Sequence, residues 1–168
     1  MAESPIDLYE HSIQLLQQEN VSIKSIAELV YFLQKDYIVD LTIEECIDNV
    51  LVVLKKREVQ NAIMTGVTID ELAQAKQLPE PLQKIIETDE GLYGVDEIVA
   101  LSIVNVYGSI GLTNYGYIDK IKPGILAELN AHKQGEVHTF LDDIVGAIAA
   151  AAAGRMAHSH PNDEEDIY

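Results

Sequence analysis

Eleven consecutive residues, Ile144 to Gly154, carry no polar side chain, and they follow directly on a pair of acids, Asp142-Asp143. Alanine and isoleucine dominate the run, and alanine is the strongest helix former. At 1.5 Å per residue the run is far short of the roughly 20 apolar residues that cross a bilayer. Leu141, Ile144, Val145, Ile148, Ala149 and Ala152 repeat at i, i+3, i+4 and i+7, and the positions between them, Gly146, Ala147, Ala150 and Ala151, are small and apolar as well. A helix apolar on every side must be enclosed by other helices. The pattern predicts an all-α, single-domain bundle built around this central helix.

The rest of the chain supplies candidate neighbours. Ser4-Pro5-Ile6-Asp7 predicts a helix start with serine as the cap and proline in the first turn. Ser22 opens a second helix with Ile26, Leu29, Val30 and Leu33 on its apolar face. Thr42-Ile43-Glu44-Glu45 is a capping box, leading into a helix expected to run to Met64. Gly66 is expected to break it, and Thr68-Ile69-Asp70-Glu71 to open a short helix. Leu82 to Ile86 follows Pro79 and Pro81. Val95-Asp96-Glu97 begins a long uncharged helix, Gly108 to Gly116 reads as a connection, and Thr139 leads into the last helix. No stretch alternates as a strand would.

Charge narrows the function classes. With 28 acids against 11 Lys and Arg the formal net charge is −17. Nucleic acids and anionic membranes are held by clustered cations, so neither is an expected partner. Cys46 is the single cysteine and lies on an apolar helix face, where it reads as a small core residue. The stretch Ile98 to Ile118 is uncharged, but its second half is rich in Gly, Ser, Thr and Asn, so no transmembrane segment is expected. The expected location is the cytoplasm, with at most peripheral contact at the inner face of the membrane. The domain is expected to span residues 1–157, with an acidic, disordered tail at 158–168. Apolar faces in the N-terminal half predict a homo-oligomer.

Acids on wet helix faces need no explanation, but acids entering the most apolar helices do. Asp96-Glu97 and Asp142-Asp143 stand at such starts, and Asp119 lies between them in sequence. Such acids commonly cap free N–H groups and oppose the helix dipole. Yet from residue 85 to 155 ten acids face only Lys120, Lys122, Lys133 and Arg155. If the doublets and Asp119 converge, they must protonate or bind a cation. A hard ion such as Mg²⁺ is the natural partner, because it takes one or two carboxylates and keeps waters for a substrate phosphate. His132 and His138 read as surface or capping residues, and His158 and His160 as members of the tail. The glycines at 108–116 do not follow a strand, so they form no dinucleotide loop.

Three elements, Gly94-Val95-Asp96-Glu97-Ile98, Asp119-Lys120-Ile121-Lys122-Pro123 and Leu141-Asp142-Asp143-Ile144-Val145-Gly146-Ala147, occur in an order that resembles the phosphatidylglycerophosphatase A family, and within it the small, soluble YutG-like branch. The resemblance covers about residues 90–157. It implies an all-helical fold and a Mg²⁺-dependent phosphomonoesterase that converts phosphatidylglycerophosphate, or a related phosphate ester, to the alcohol and phosphate. It further implies that Asp96, Glu97, Asp119, Asp142 and Asp143 hold the metal and handle water, and that Lys122 stabilises charge on the phosphoryl group. Asp142 or Asp143 would act as base. An alternative keeps the cluster as a metal-stabilised folding element of a non-catalytic interaction protein, motivated by Gly116 standing where the family pattern has an arginine.

Overall fold

The computed structural model describes residues 4–131 and 134–159. Within them the chain forms helices α1 (Leu8–Gln18), α2 (Ile23–Gln34), α3 (Ile43–Leu54), α4 (Arg57–Gln74), α5 (Leu82–Glu87), α6 (Val95–Val104), α7 (Ser109–Ile121), α8 (Ile125–Leu129) and α9 (Leu141–Ser159), with one 3₁₀ turn at Asn105–Tyr107. No strand occurs among the described residues. The fold is all-α, as expected.

Helix α9 is the axis. It packs against α2, α3, α4, α6, α7 and α8, and every residue from Leu141 to Gly154 is buried. Its small residues set how closely the ring can approach. Gly146 admits Ile118, Leu126 and Tyr115, and Gly154 brings α9 so near α7 that an added Cβ would stand 3.3 Å from the Gly111 amide nitrogen. Wide side chains at these positions would hold the helices apart.

Capping residues account for the first three helix starts. Ser22 Oγ accepts from the Ser25 amide at 3.0 Å. Thr42 and Glu45 form the reciprocal capping box, with Thr42 Oγ1 accepting from Glu45 N at 3.2 Å and Glu45 Oε2 from Thr42 N at 3.0 Å. At the N-terminus the cap is Asp7 rather than Ser4, because the Asp7 carboxylate takes the Tyr9 amide at 2.9 Å. Cys46 is fully buried, and burial pushes its thiol up to about 11, leaving an unreactive core side chain.

Two segmentations differ from the sequence reading. The helix opened at Thr42 stops at Leu54, not Met64, and the Gln60 side chain donates to the Leu54 carbonyl at 2.9 Å, closing its end. Helix α4 then runs unbroken through both Gly66 and Thr68–Glu71. Gly66 is therefore not a break. It is a contact point where an added Cβ would stand 2.3 Å from Ile144 Cδ1 and 3.0 Å from Phe140 Cβ. Second, the expected connection at 108–116 is largely helix. The long uncharged stretch is interrupted at Gly108, whose φ of 85° suits glycine, and continues as α7. Its Gly111 is spent on the close approach to α9. Helix α9 continues through His158 and Ser159, and the remaining tail, including His160 and Asp163 to Asp166, lies outside the described residues.

No helix among the described residues is long and apolar enough to cross a membrane. Helix α1 packs on α4 and α3, and α5 on α4, so the acid-bearing ends of α6, α7 and α9 are left to meet beside the loop that follows α5.

Candidate active site

Three helix ends and one loop form the site. The first turn of α6 supplies Asp96 and Glu97, the last turn of α7 supplies Asp119, and the first turn of α9 supplies Asp142 and Asp143. Lys122 ends α7 in the left-handed conformation, φ 48° and ψ 55°, just before Pro123. With Asp89, Glu90, Gly91 and Asn130 these residues line a cleft of about 170 Å³. All six sequence-predicted residues reach it. Asp96, Asp142 and Asp143 are buried, Asp119 and Lys122 half-buried, and Glu97 exposed at the margin.

Lys122 holds the acids together. Its Nζ donates to Asp119 Oδ1 at 2.7 Å and to Asp142 Oδ2 at 3.3 Å. Burial would lower its ammonium pKa, but the bond to Asp119 and the fields of Asp142, Asp119 and Asp143 outweigh it and hold the group above its ordinary value. The Tyr115 hydroxyl donates to Asp143 Oδ1 at 3.2 Å from inside the bundle. Burial, and then the Asp143 and Asp119 charges, push that phenol far up, so it stays a donor.

The lining carries seven carboxylates and one amine. Asp143 is driven well above the usual carboxylate range by burial, then by Asp142 and by a side-chain contact with Asp96. Asp142 is raised less: burial and Asp89 push it up, while Lys122 pulls it down. The pair thus stands in surplus negative charge that one lysine does not balance.

The capping explanation for Asp142 and Asp143 fails on the hydrogen bonds. The amides entering α9 are taken by Asp70, reaching across from α4. Its carboxylate accepts from Phe140 N at 3.0 and 3.1 Å and from Leu141 N at 2.9 Å. Asp142 Oδ1 takes only the amide of its neighbour Asp143, at 2.8 Å. Helix α6 likewise has no side-chain cap at its Gly94 start, and Asp96 is buried towards Asp143. These acids are placed for the cleft rather than for their helices.

Could the cleft hold a metal? Every charged donor except Lys122 is a carboxylate oxygen, which suits a hard cation. As the side chains stand, no group of three His, Cys, Asp or Glu among the described residues forms a ready cage. The Lys122 ammonium sits between Asp119 and Asp142. The donor set fits an ion such as Mg²⁺, which needs one or two carboxylates and fills its shell with water. It does not fit a metal that requires a full protein cage.

His138 stays outside this set. It is half-buried, with Nε2 3.9 Å from the Glu136 carboxylate, and borders a small adjoining cavity that also touches Asp142. His132 lies outside the described residues. Asp70, Asp89, Tyr115 and Asn130 were not singled out as site residues from the sequence. Asp70 was hidden inside an apparent capping box, and nothing local distinguishes Tyr115 from the chain's seven other tyrosines.

Comparison with known proteins follows the same residues. A family model described as phosphatidylglycerophosphatase A matches residues 16–158. The Bacillus subtilis (strain 168) protein YutG is 65% identical over 143 residues, 85% of this chain and 86% of that protein. The crystal structure of the low temperature requirement C protein from Listeria monocytogenes is 62% identical with a TM-score of 0.90, covering 93% of this chain and 98% of that one. A protein of unknown function from Bacillus stearothermophilus has the same identity and TM-score, covering 92% and 96%.

Proposed function

The chain belongs to the phosphatidylglycerophosphatase A family, and from that premise we propose that it is a Mg²⁺-dependent phosphomonoesterase acting on phosphatidylglycerophosphate or a related phosphate ester. The observation that carries the reading is the convergence of Asp96, Glu97, Asp119, Lys122, Asp142 and Asp143, from three separate helices, on one cleft. Asp96, Glu97, Asp119, Asp142 and Asp143 would hold the ion. Bound there, Mg²⁺ would offset the carboxylate charge, neutralise phosphate oxygens and increase the acidity of a nearby water.

The chain's own groups do the rest. Lys122, tethered by Asp119 and Asp142, places a positive point where charge builds on the phosphoryl oxygens. Water attacks phosphorus, the bond from phosphorus to the ester oxygen breaks, and inorganic phosphate and the alcohol leave. One carboxylate of the Asp142-Asp143 pair takes the water proton and hands it to the departing oxygen. Tyr115 holds Asp143 from behind through its hydroxyl.

The test is phosphate release from phosphatidylglycerophosphate and a panel of water-soluble phosphomonoesters, with Mg²⁺ and with EDTA. Mg²⁺-dependent release is expected in the wild type, and Asp142→Asn should abolish it while helical content by circular dichroism stays intact. Release that persists in EDTA, or full activity in Asp142→Asn, would refute the assignment.

A further inference from the structure

Helix α4 carries none of the acids lining the cleft, yet one of its faces grips the segment that delivers two of them. Gly66, Asp70 and Gln74 lie at i, i+4 and i+8 and share that face. Gly66 seats Phe140 and Ile144. Asp70, 3% exposed, accepts from the Phe140 and Leu141 amides with both carboxylate oxygens. Gln74 Oε1 accepts from Val137 N at 3.2 Å. From α5, the Ile86 carbonyl accepts from Thr139 Oγ1 at 2.6 Å.

We propose that Asp70 is a positioning residue for the phosphatase cleft: by capping α9 from a neighbouring helix, it keeps the Phe140 and Leu141 amides from drawing on Asp142 and Asp143 and so sets the direction of that pair towards the cleft. A helix start leaves free amide N–H groups, and acids in the first turn ordinarily turn back to satisfy them. Here most of those amides are satisfied without that. Asp70 takes Phe140 N and Leu141 N, the Asp142 amide bonds to the His138 carbonyl at 3.2 Å, and the Ile144 amide bonds to the Phe140 carbonyl at 3.0 Å. Only the Asp143 amide draws on an acid of the pair, through Asp142 Oδ1. Without Asp70, two buried amides would compete for the carboxylates next to them in sequence. The acids would rotate out of the cleft, and small misplacements of reacting groups cost rate steeply.

The kinetic part rests on the hydrolase reading above, so the experiment has two arms. In the first, kcat and KM are measured with Mg²⁺ on p-nitrophenyl phosphate and on phosphatidylglycerophosphate micelles, well below the melting temperature of every variant. Thr42→Ala, which removes the cap of α3 away from the cleft, serves as the control for lost stability. It should melt earlier and keep its kcat. Asp70→Asn should lose kcat by about 10- to 100-fold, as supporting contacts around metal ligands do, with KM nearly unchanged. Asp70→Ala should lose more, because the amide keeps one acceptor oxygen. In the second arm, hydrogen exchange by mass spectrometry should show faster exchange in Asp70→Asn over residues 139–145 and little change elsewhere. Wild-type kcat in Asp70→Asn, or unchanged exchange over 139–145, overturns the proposal. If the wild type hydrolyses none of these substrates, the hydrolase reading fails and the exchange arm alone decides whether Asp70 places the acid pair.

Discussion

Lys122 reaches two carboxylates only because it ends its helix in a left-handed turn, with φ at 48°. A residue continuing the helix would aim its side chain elsewhere. In that conformation its ammonium meets Asp119 and Asp142 from two elements at once. Lys122→Met should therefore cut Mg²⁺-dependent phosphate release by about 100-fold, on the scale seen for removal of one donor to a developing charge. Lys122→Arg should restore little, since a planar fork does not replace a point charge in that gap. Steady-state kinetics read both, and near wild-type activity in Lys122→Met would remove the lysine from the mechanism. At this scale the sequence was informative. The acids could be named because acids opening apolar helices, with few cations nearby, are unusual, and Lys122 was added by the resemblance to the phosphatidylglycerophosphatase A family. Asp70 could not be named, since an acid in a Thr-x-x-Glu pattern looks like an ordinary cap until its partner amides, 70 and 71 positions away, are known.

Among elements, α4 best shows how a glycine misleads. A glycine inside a helix costs about 1 kcal/mol relative to alanine, so Gly66 reads locally as an end. In the fold that cost is offset by contact with α9, where Ile144 Cδ1 and Phe140 Cβ occupy the space a side chain would need. Gly66→Val should lower stability by about 1–3 kcal/mol through overpacking, measured by urea denaturation. An unchanged midpoint would mean the α4–α9 contact is loose. The same variant should also slow turnover, because the displaced helix start carries Asp142 and Asp143. The Gly-rich stretch at 108–116 follows the same logic: Gly111 permits an approach to Gly154 that no local signal announces.

Across the whole molecule, buried acids couple stability to pH. Burial raises Asp70 to about 8, with the Phe140 and Leu141 amides opposing the shift, and raises Asp142 and Asp143 above their ordinary values. Unfolded, such carboxylates ionise near pH 4. Between about pH 4 and 8 the folded chain therefore holds protons that the unfolded chain has released, and stability falls as pH rises. The net charge of −17 acts in the same direction. Metal-free protein should melt at a higher temperature at pH 5.5 than at pH 8. Mg²⁺ should raise the melting temperature more at pH 8, where protons compete less for Asp142 and Asp143. Calorimetry at the two pH values, with Mg²⁺ and with EDTA, checks both. A melting temperature that climbs with pH in EDTA would show that the buried acids do not govern stability.

Local chemistry was enough for the sequence to determine the all-helical class, the central position of the Ile144–Gly154 run, the caps at Ser22 and Thr42 and the identity of the acid-bearing elements. Helix propensity, capping and apolar periodicity are short-range properties, complete within a few residues of the chain. Only the tertiary structure decided that α4 passes unbroken through Gly66, that the stretch after Gly108 is helix, and that Asp70 rather than Asp142 or Asp143 caps α9. In each of these cases the deciding partner is far away in sequence. A glycine can serve as a break or as a contact, and an acid as a local cap or a remote one. The choice depends on which surface packs against it.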